Sequence, residues 1–295
     1  MKLVVLGAGF SGRAILKEMA PSCRTMVGTT RSSDQFAAIE ATGAQPLIFS
    51  GESVSEELRA AMAEASHLVM SIAPDPNATA GSGDPLLKAI NSDIRHNFPL
   101  LKWAAYLSTV GVYGNHDGDW VDEATPCKPV SKRSVTRVKA EEAWAEACGN
   151  ADIPLSILRL SGIYGPGRNA FCNLAAGKAR RLVKLGQVFN RIHVADIGGA
   201  AALLANTATT GVFNVTDNLP SPPQDVVAEA ARIMGVEVPP EIDFETAELS
   251  PMARSFYGEN KRVANARITK AGYRFRFPDY HAGLDGLWRG EQWRG

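Results

Sequence analysis

The sequence predicts an α/β fold, a doubly wound parallel sheet with a smaller C-terminal lobe. Three observations predict it. Short, continuous apolar runs recur through the N-terminal half. They alternate with segments of helical periodicity. A Gly-x-Gly-x-x-Gly loop stands directly between the first run and the first helical segment. Runs that are apolar at every position suit strands buried on both faces, as parallel strands covered by helices are.

The elements follow in order. Residues 2–6 read as a buried strand and 10–20 as a helix, with Ile15, Leu16 and Met19 at helical spacing. A strand over 24–29, a helix over 33–41 and a strand over 45–49 come next. Residues 54–65 read as a helix with Leu58 and Met62 on one side, and 67–72 as a strand closed by the loop 73–76. One helix is expected over 84–97, with Asp84 as N-cap before Pro85 at the first helical position. A fifth strand covers 103–108.

The second half is less regular. A helix is expected over 132–147 and a strand over 156–159, leading into Gly162-Ile163-Tyr164-Gly165-Pro166-Gly167. Residues 171–185 read as a basic helix carrying Lys178, Arg180, Arg181 and Lys184. A small-residue helix over 194–205 precedes a strand over 212–215. From Ser221 onward the chain is Pro-rich, then helical, then mixed. No Gly/Ser linker and no repeat interrupts it.

Composition narrows the function classes. The chain has 295 residues, 45% hydrophobic and 21% charged, which suits one large or two modest globular domains. Lys+Arg and Asp+Glu are equal at 31 each, so the basic excess of an electrostatic nucleic-acid binder is missing. Cys23, Cys127, Cys148 and Cys172 form no Cys-x-x-Cys pair and read as reduced thiols. The histidines are scattered without a metal-binding pattern. The first apolar run is too short for a signal peptide. The longest uncharged stretch, 197–216, is too rich in Gly, Asn and Thr to span a membrane. The expectation is a cytoplasmic, soluble protein with a small-molecule substrate and neither nucleic acid nor membrane as partner.

Gly7-Ala8-Gly9-Phe10-Ser11-Gly12 follows a strand and opens a helix, the context in which this pattern binds a dinucleotide. Gly7 permits the tight turn, Gly9 admits a pyrophosphate to the backbone, and Gly12 lets helix and strand pack closely. The helix N-terminus then presents amides to the phosphates. The expected class is therefore Rossmann-type, with 1–160 as the dinucleotide-binding domain. Residues 161–295 form a mixed α/β substrate lobe with segments returning to the sheet.

NAD-binding versions place an Asp or Glu about 20 residues after the loop, on the ribose hydroxyls. Here the second strand ends Thr30-Arg31-Ser32. Arg31 suits a 2′-phosphate, which a guanidinium grips bidentately. Thr30 and Ser32 add hydroxyls. NADP(H) is the expected cofactor, in preference to NAD(H). Ile72, Ala73 and Ser161, at carboxyl ends of strands, complete the expected cofactor contacts.

The chain resembles the extended short-chain dehydrogenase/reductases, the NAD-dependent epimerase/dehydratase family, and especially their atypical members. Several segments carry the resemblance in order. They are the glycine loop, residues 107–114 (Leu-Ser-Thr-Val-Gly-Val-Tyr-Gly), Lys139, residues 159–168, Arg191-Ile192-His193-Val194-Ala195-Asp196, and the closing Asn260-Lys261-Arg262 and Ala271-Gly272-Tyr273. The resemblance implies a catalytic Tyr-x-x-x-Lys pair, with a Ser or Thr at the end of the fifth strand orienting the reacting carbonyl. Lys139 matches the Lys, but the Tyr position is Val135, and a valine transfers no proton.

Catalytic candidates are therefore Ser108, Thr109, Tyr113 and Lys139. Tyr113 reads as a pocket-shaping residue or a replacement proton donor. Lys139 reads as a ribose ligand or as a solvated lysine paired with Glu142 or Glu146. Near Lys139, Arg137 could polarise a carbonyl, though it donates protons poorly. Tyr164, Arg168, Arg191 and His193 are the candidate substrate-binding residues. Arg191 and His193 alternate on an extended segment and share a face, while Asp196 reads as a helix N-terminal charge. The resemblance implies an oxidoreductase or epimerase/dehydratase-like activity on a small hydroxylated or nucleotide-linked substrate, with homodimer formation as an option. The alternative is a non-catalytic NADP-binding regulator or redox sensor.

Overall fold

The structure, a computed structural model, describes residues 1–78 and 81–295, with side chains for all of these except 251–253. The first half runs β1 (Lys2–Leu6), α1 (Phe10–Met19), β2 (Thr25–Thr30), α2 (Phe36–Glu40), β3 (Gln45–Ile48), α3 (Glu56–Glu64), β4 (His67–Met70), α4 (Pro85–Ala89), α5 (Ile94–Asn97) and β5 (Trp103–Thr109). The second half begins β6 (Trp120–Val121), α6 (Lys132–Asn150), β7 (Leu155–Leu160), β8 (Gly162–Tyr164), α7 (Ala170–Ala175), β9 (Arg181–Val183) and β10 (Arg191–His193). It ends α8 (Val194–Asn206), β11 (Gly211–Val215), α9 (Pro223–Met234), β12 (Glu241–Asp243), α10 (Pro251–Phe256), β13 (Arg262–Val263), α11 (Ala266–Lys270) and α12 (Tyr280–Arg289).

Seven strands form one parallel sheet in the order β11-β7-β5-β4-β1-β2-β3. The chain winds outward in both directions from β1 and β4, so their carboxyl ends flank the crevice where such sheets bind ligands. Alternation along β1 explains the two-sided burial. Leu3 and Val5 face one core with α1 and α8, while Val4 and Leu6 face the other with α3 and α6. Each fully buried large side chain contributes about 1.5–3 kcal/mol. On the α1 side, Gly198 lets α8 pack directly on the backbone of α1, since a Cβ there would lie 2.8 Å from the Ala14 carbonyl oxygen.

The strands of the main sheet fall within two residues of their expected places, because fully apolar runs admit few other solutions. Two expected helices differ. The helix over 84–97 starts as expected, with Asp84 Oδ1 accepting the amides of Leu86 and Leu87, both at 3.0 Å. It then stops: Asn91 and Ser92 take positive φ of 51° and 58°, and the Ser92 amide donates to the Leu87 carbonyl at 2.8 Å, a helix-ending arrangement. Asp93 caps a new short helix, α5.

The basic helix over 171–185 is corrected to α7 followed by β9. Gly177, at φ 64°, turns the chain, and the amides of Lys178 and Ala179 close on the Asn173 carbonyl. Arg180, Arg181 and Lys184 bind distant residues instead of lining a solvated helix face. Arg181 reaches Glu241 at 2.8 Å and the Pro239 carbonyl at 3.1 Å, and Lys184 reaches the Tyr257 carbonyl at 2.6 Å.

The C-terminal lobe rests on two short parallel ladders, β8 with β10 and β9 with β12. Its own core gathers Phe171, Tyr280, Leu284, Leu287 and Trp293. Asp196 does more than complement a helix dipole. Fully buried in the first turn of α8, it accepts hydrogen bonds from the Tyr273 hydroxyl (2.7 Å), the Arg276 amide (2.7 Å) and the Phe277 amide (3.1 Å). It thereby fixes the C-terminal segment against α1 and α8.

Candidate functional site

The glycine loop sits at the end of β1, beside the end of β4. Gly7 adopts φ 89°, and a Cβ there would lie 2.8 Å from Ile72. Ile72 thus forms the wall of the turn. A Cβ on Gly12 would overlap the Gly7 carbonyl oxygen. Gly9 is the opposite case, with open space around the position of a Cβ. Gly9 is also the N-cap of α1 and offers no side-chain cap to its amides. The loop is therefore rigid beneath and open above, with unmet donors at a helix N-terminus, and this cradle fits a diphosphate. Thr29, which the sequence reading did not single out, holds the loop. Its Oγ1 accepts the Gly7 amide at 3.0 Å and its carbonyl accepts the Ala8 amide at 2.7 Å.

At the end of β2, the Thr30 and Ser32 hydroxyls serve the local turn. Thr30 Oγ1 donates to the Ser32 carbonyl at 3.3 Å, and Ser32 Oγ donates to Asp34 Oδ2 at 2.7 Å. Arg31 is exposed, and no described residue forms an ion pair or hydrogen bond with it. A second guanidinium was missed in the sequence. Arg13, directly after the third glycine, reaches Gln35 Oε1 at 3.3 Å and the Ala8 carbonyl at 3.5 Å. It spans from the glycine loop to the segment after β2. Its place immediately behind the motif was the available signal.

The end of β5 separates its two hydroxyls, because successive strand residues face opposite ways. Ser108 is buried and donates to Glu141 Oε1. Glu141 in turn pairs with Arg159 at 2.7 Å, with both side chains buried. Arg159 also contacts the Cys127 sulfur at 3.2 Å and lies over the Tyr113 ring, 4.9 Å from its centroid. Tyr113 is fully buried, and its hydroxyl donates to Asn214 at 2.7 Å. Burial pushes that hydroxyl above its usual range. Ser108 and Tyr113 therefore belong to one internal network.

Thr109 stands apart from that network. It is half-buried, and its Oγ1 accepts the Gly111 amide at 3.1 Å, which leaves the hydroxyl proton available. On α6, Val135 is 38% exposed, so the position where the resemblance expects a tyrosine does face outward. Lys139 is exposed, without an ion pair to a described residue. Arg137 donates to the Leu107 carbonyl at 2.8 Å, close to the same strand end.

The remaining candidates lie at the ends of β4 and β7 and in the C-terminal lobe. Ala73 is exposed beyond β4, and Ser161 is buried beyond β7, its hydroxyl 3.5 Å from the Val215 carbonyl. Tyr164 and His193 pair across β8 and β10 with ring centroids 5.2 Å apart. His193 Nδ1 accepts the Ala195 amide at 3.2 Å, so the neutral ring carries its proton on Nε2, a buried atom without a partner among the described residues. Burial brings its pKa down to about 4. Arg191 turns inward to Ser221 Oγ at 2.7 Å and to the carbonyls of Phe189 and Ser221. Nearby Asp217 is buried, with Oδ2 unpartnered among the described residues, and burial pushes its carboxyl up to about 7. The structure thus brings Tyr164, Arg191 and His193 together, but inside the lobe. Arg168 stays outside and lies over the Phe10 ring at 5.9 Å.

Residues 3–216 match the sequence model of the NAD dependent epimerase/dehydratase family. The chain belongs to that family. Its members bind a nicotinamide dinucleotide, and the cradle around Gly7, Gly9 and Gly12 fits that group. A solved structure of a functionally unknown conserved protein from Silicibacter pomeroyi DSS is 44% identical, with TM-score 0.89, over 98% of this chain and 99% of that one. UDP-N-acetylglucosamine 4-epimerase from Bacillus cereus shares the fold at 12% identity and TM-score 0.76, with 99% of each chain covered. Human epimerase family protein SDR39U1 with NADPH shares it at 15% identity and TM-score 0.70, over 97% of this chain and 99% of that one. No curated protein matches. Among the described residues, no helix is long and apolar enough to cross a membrane.

Proposed function

We propose that the protein is an NADP(H)-dependent oxidoreductase or epimerase/dehydratase-like enzyme acting on a small hydroxylated or nucleotide-linked substrate. The observation that carries this reading is Thr109. No described residue accepts its hydroxyl proton, at the carboxyl edge of the sheet that carries the glycine loop. NADP(H) is preferred because Arg31, with Arg13 behind it, offers guanidinium charge where NAD-binding chains place an acid. Bound there, the nicotinamide supplies hydride exchange with substrate carbon. Thr109 donates a hydrogen bond to the substrate oxygen and fixes its orientation. Lys139 holds the ribose hydroxyls and passes a proton through water, because Val135 transfers none.

The test is NADPH oxidation against a panel of aldehydes, ketones and sugar nucleotides. Turnover that is lost in Thr109→Val and Lys139→Ala, and kept in a distant surface variant, supports the reading. A second reading follows from Val135: a regulator that binds NADP without chemistry. It predicts tight NADPH binding and no turnover on any member of the panel.

A further inference from the structure

The turn that carries Arg168 touches the glycine loop. A Cβ on Gly165 would come within 3.3 Å of Phe10 Cζ and 2.7 Å of Val194 Cγ1. Phe10 is the first residue of α1, and the Arg168 guanidinium lies over its ring. The turn closes on itself through two backbone hydrogen bonds, Gly165 amide to Arg168 carbonyl at 2.9 Å and Arg168 amide to Gly165 carbonyl at 3.0 Å.

A clasp from far along the chain fixes this turn. The Trp293 carbonyl accepts the Gly167 amide at 3.0 Å, Asn169 Nδ2 at 2.8 Å and the Cys172 thiol at 3.1 Å. Asn169 is buried, and its Nδ2 also donates to the Gly165 carbonyl at 2.8 Å, while its Oδ1 caps α7. Trp293 is itself buried against Phe171 and Trp288. The backbone of the turn is therefore held from within the lobe, while the Arg168 side chain remains exposed.

Its electrostatic setting is incomplete. No carboxylate or hydrogen-bond acceptor among the described residues pairs with Arg168. Its described contact is the ring of Phe10, the first residue of α1, whose uncapped N-terminus is also positive. A cation beside a positive helix end is unfavourable unless an anion lies between them. A phosphate seated on the α1 amides supplies the acceptor that the guanidinium lacks among the described residues.

We propose that Arg168 is a cofactor residue: a clamp carried by the C-terminal lobe, closing on the diphosphate of the dinucleotide opposite the amides of α1. This rests on the reading of the glycine loop as the dinucleotide site. It moves Arg168 from the substrate side of the crevice to the cofactor side. It also couples cofactor binding to the order of the C-terminal lobe through the Asn169–Trp293 clasp.

Calorimetric titration of NADPH and of NADH into wild type, Arg168→Ala and Arg31→Ala tests it. Both dinucleotides contain the diphosphate, so Arg168→Ala weakens both by the same factor, about tenfold or more for a lost charged hydrogen bond. Arg31→Ala weakens NADPH selectively. Thermal unfolding of Arg168→Ala matches wild type, since the side chain is exposed. Unchanged affinity of Arg168→Ala for both dinucleotides, with wild type binding, overturns the clamp and leaves the dinucleotide site standing. A loss confined to NADPH also overturns it, because Arg168 would then read the 2′-phosphate. Absence of binding by wild type overturns the clamp together with the site.

Discussion

The glycine loop and the end of β5 lie on the same edge of the sheet and hold their functional groups by opposite means. At the glycine loop the backbone does the work: Gly7 turns, Gly12 packs, Gly9 stays open, and the side chains that fasten the loop are Thr29, on the Gly7 amide, and Arg13, on the Ala8 carbonyl. At β5 the backbone only delivers side chains, and a buried polar network decides which are free. Ser108 and Tyr113 are held by Glu141 and Asn214, which leaves Thr109. The comparison teaches that a backbone-built site tolerates sequence change around it, whereas a site built of side chains is redefined by one substitution. Val135 in place of tyrosine is such a change.

The largest expected effect is at the side-chain end. Glu141→Ala leaves Arg159 as an uncompensated buried charge and destabilises the fold by about 3–5 kcal/mol, measured by chemical denaturation. Little change would mean that the network does not hold Ser108 and Tyr113, and the contrast would collapse. At the backbone end, Gly12→Ala overpacks the loop and costs about 1–3 kcal/mol. Gly9→Ala stays within about 0.5 kcal/mol of wild type in stability but loses dinucleotide affinity. Equal stability losses at Gly9 and Gly12 would show that the open cradle is part of the core.

A smaller effect concerns the interior of the C-terminal lobe. Burial holds Asp217 protonated up to about pH 7, while Arg191 opposes the shift and Asp279 and Asp196 add to it. Because the folded pKa lies above the unfolded value, its contribution to stability is complete below the unfolded carboxyl pKa and lost as pH rises through 7. His193, with its pKa down to about 4, acts oppositely: stability falls as pH drops from its ordinary range toward 4. Asp217→Asn is therefore more stable than wild type at pH 8, by about 1 kcal/mol or more, and the advantage disappears near pH 4. Thermal melts across that range check it. An advantage that is constant with pH would remove the role of ionisation.

The main sheet was legible because buried parallel strands write themselves as unbroken apolar runs, and the glycine loop because its geometry demands particular residues. The C-terminal lobe was not. The ladders β8–β10 and β9–β12 are three residues long, below any periodic signal. The basic run 178–184 imitated a helix face, although its partners Glu241 and Tyr257 lie some 60 to 73 residues onward. Asp196 looked like a helix-end charge because Tyr273, Arg276 and Phe277, which it anchors, are 77 to 81 residues away. At the site, the sequence named the hydroxyls at β5 but not which was free, since that depends on a network formed by α6, β7 and β11.

The central claim is that the loop at the end of β1 receives a dinucleotide whose 2′-phosphate is read at Arg31. Calorimetric titration of NADPH and NADH into wild type and Arg31→Asp tests it most directly. The account predicts that NADPH binds wild type about tenfold or more tighter than NADH, and that Arg31→Asp removes this preference by weakening NADPH. No heat of binding from either dinucleotide at millimolar concentration, or an equal loss of both in Arg31→Asp, would contradict it.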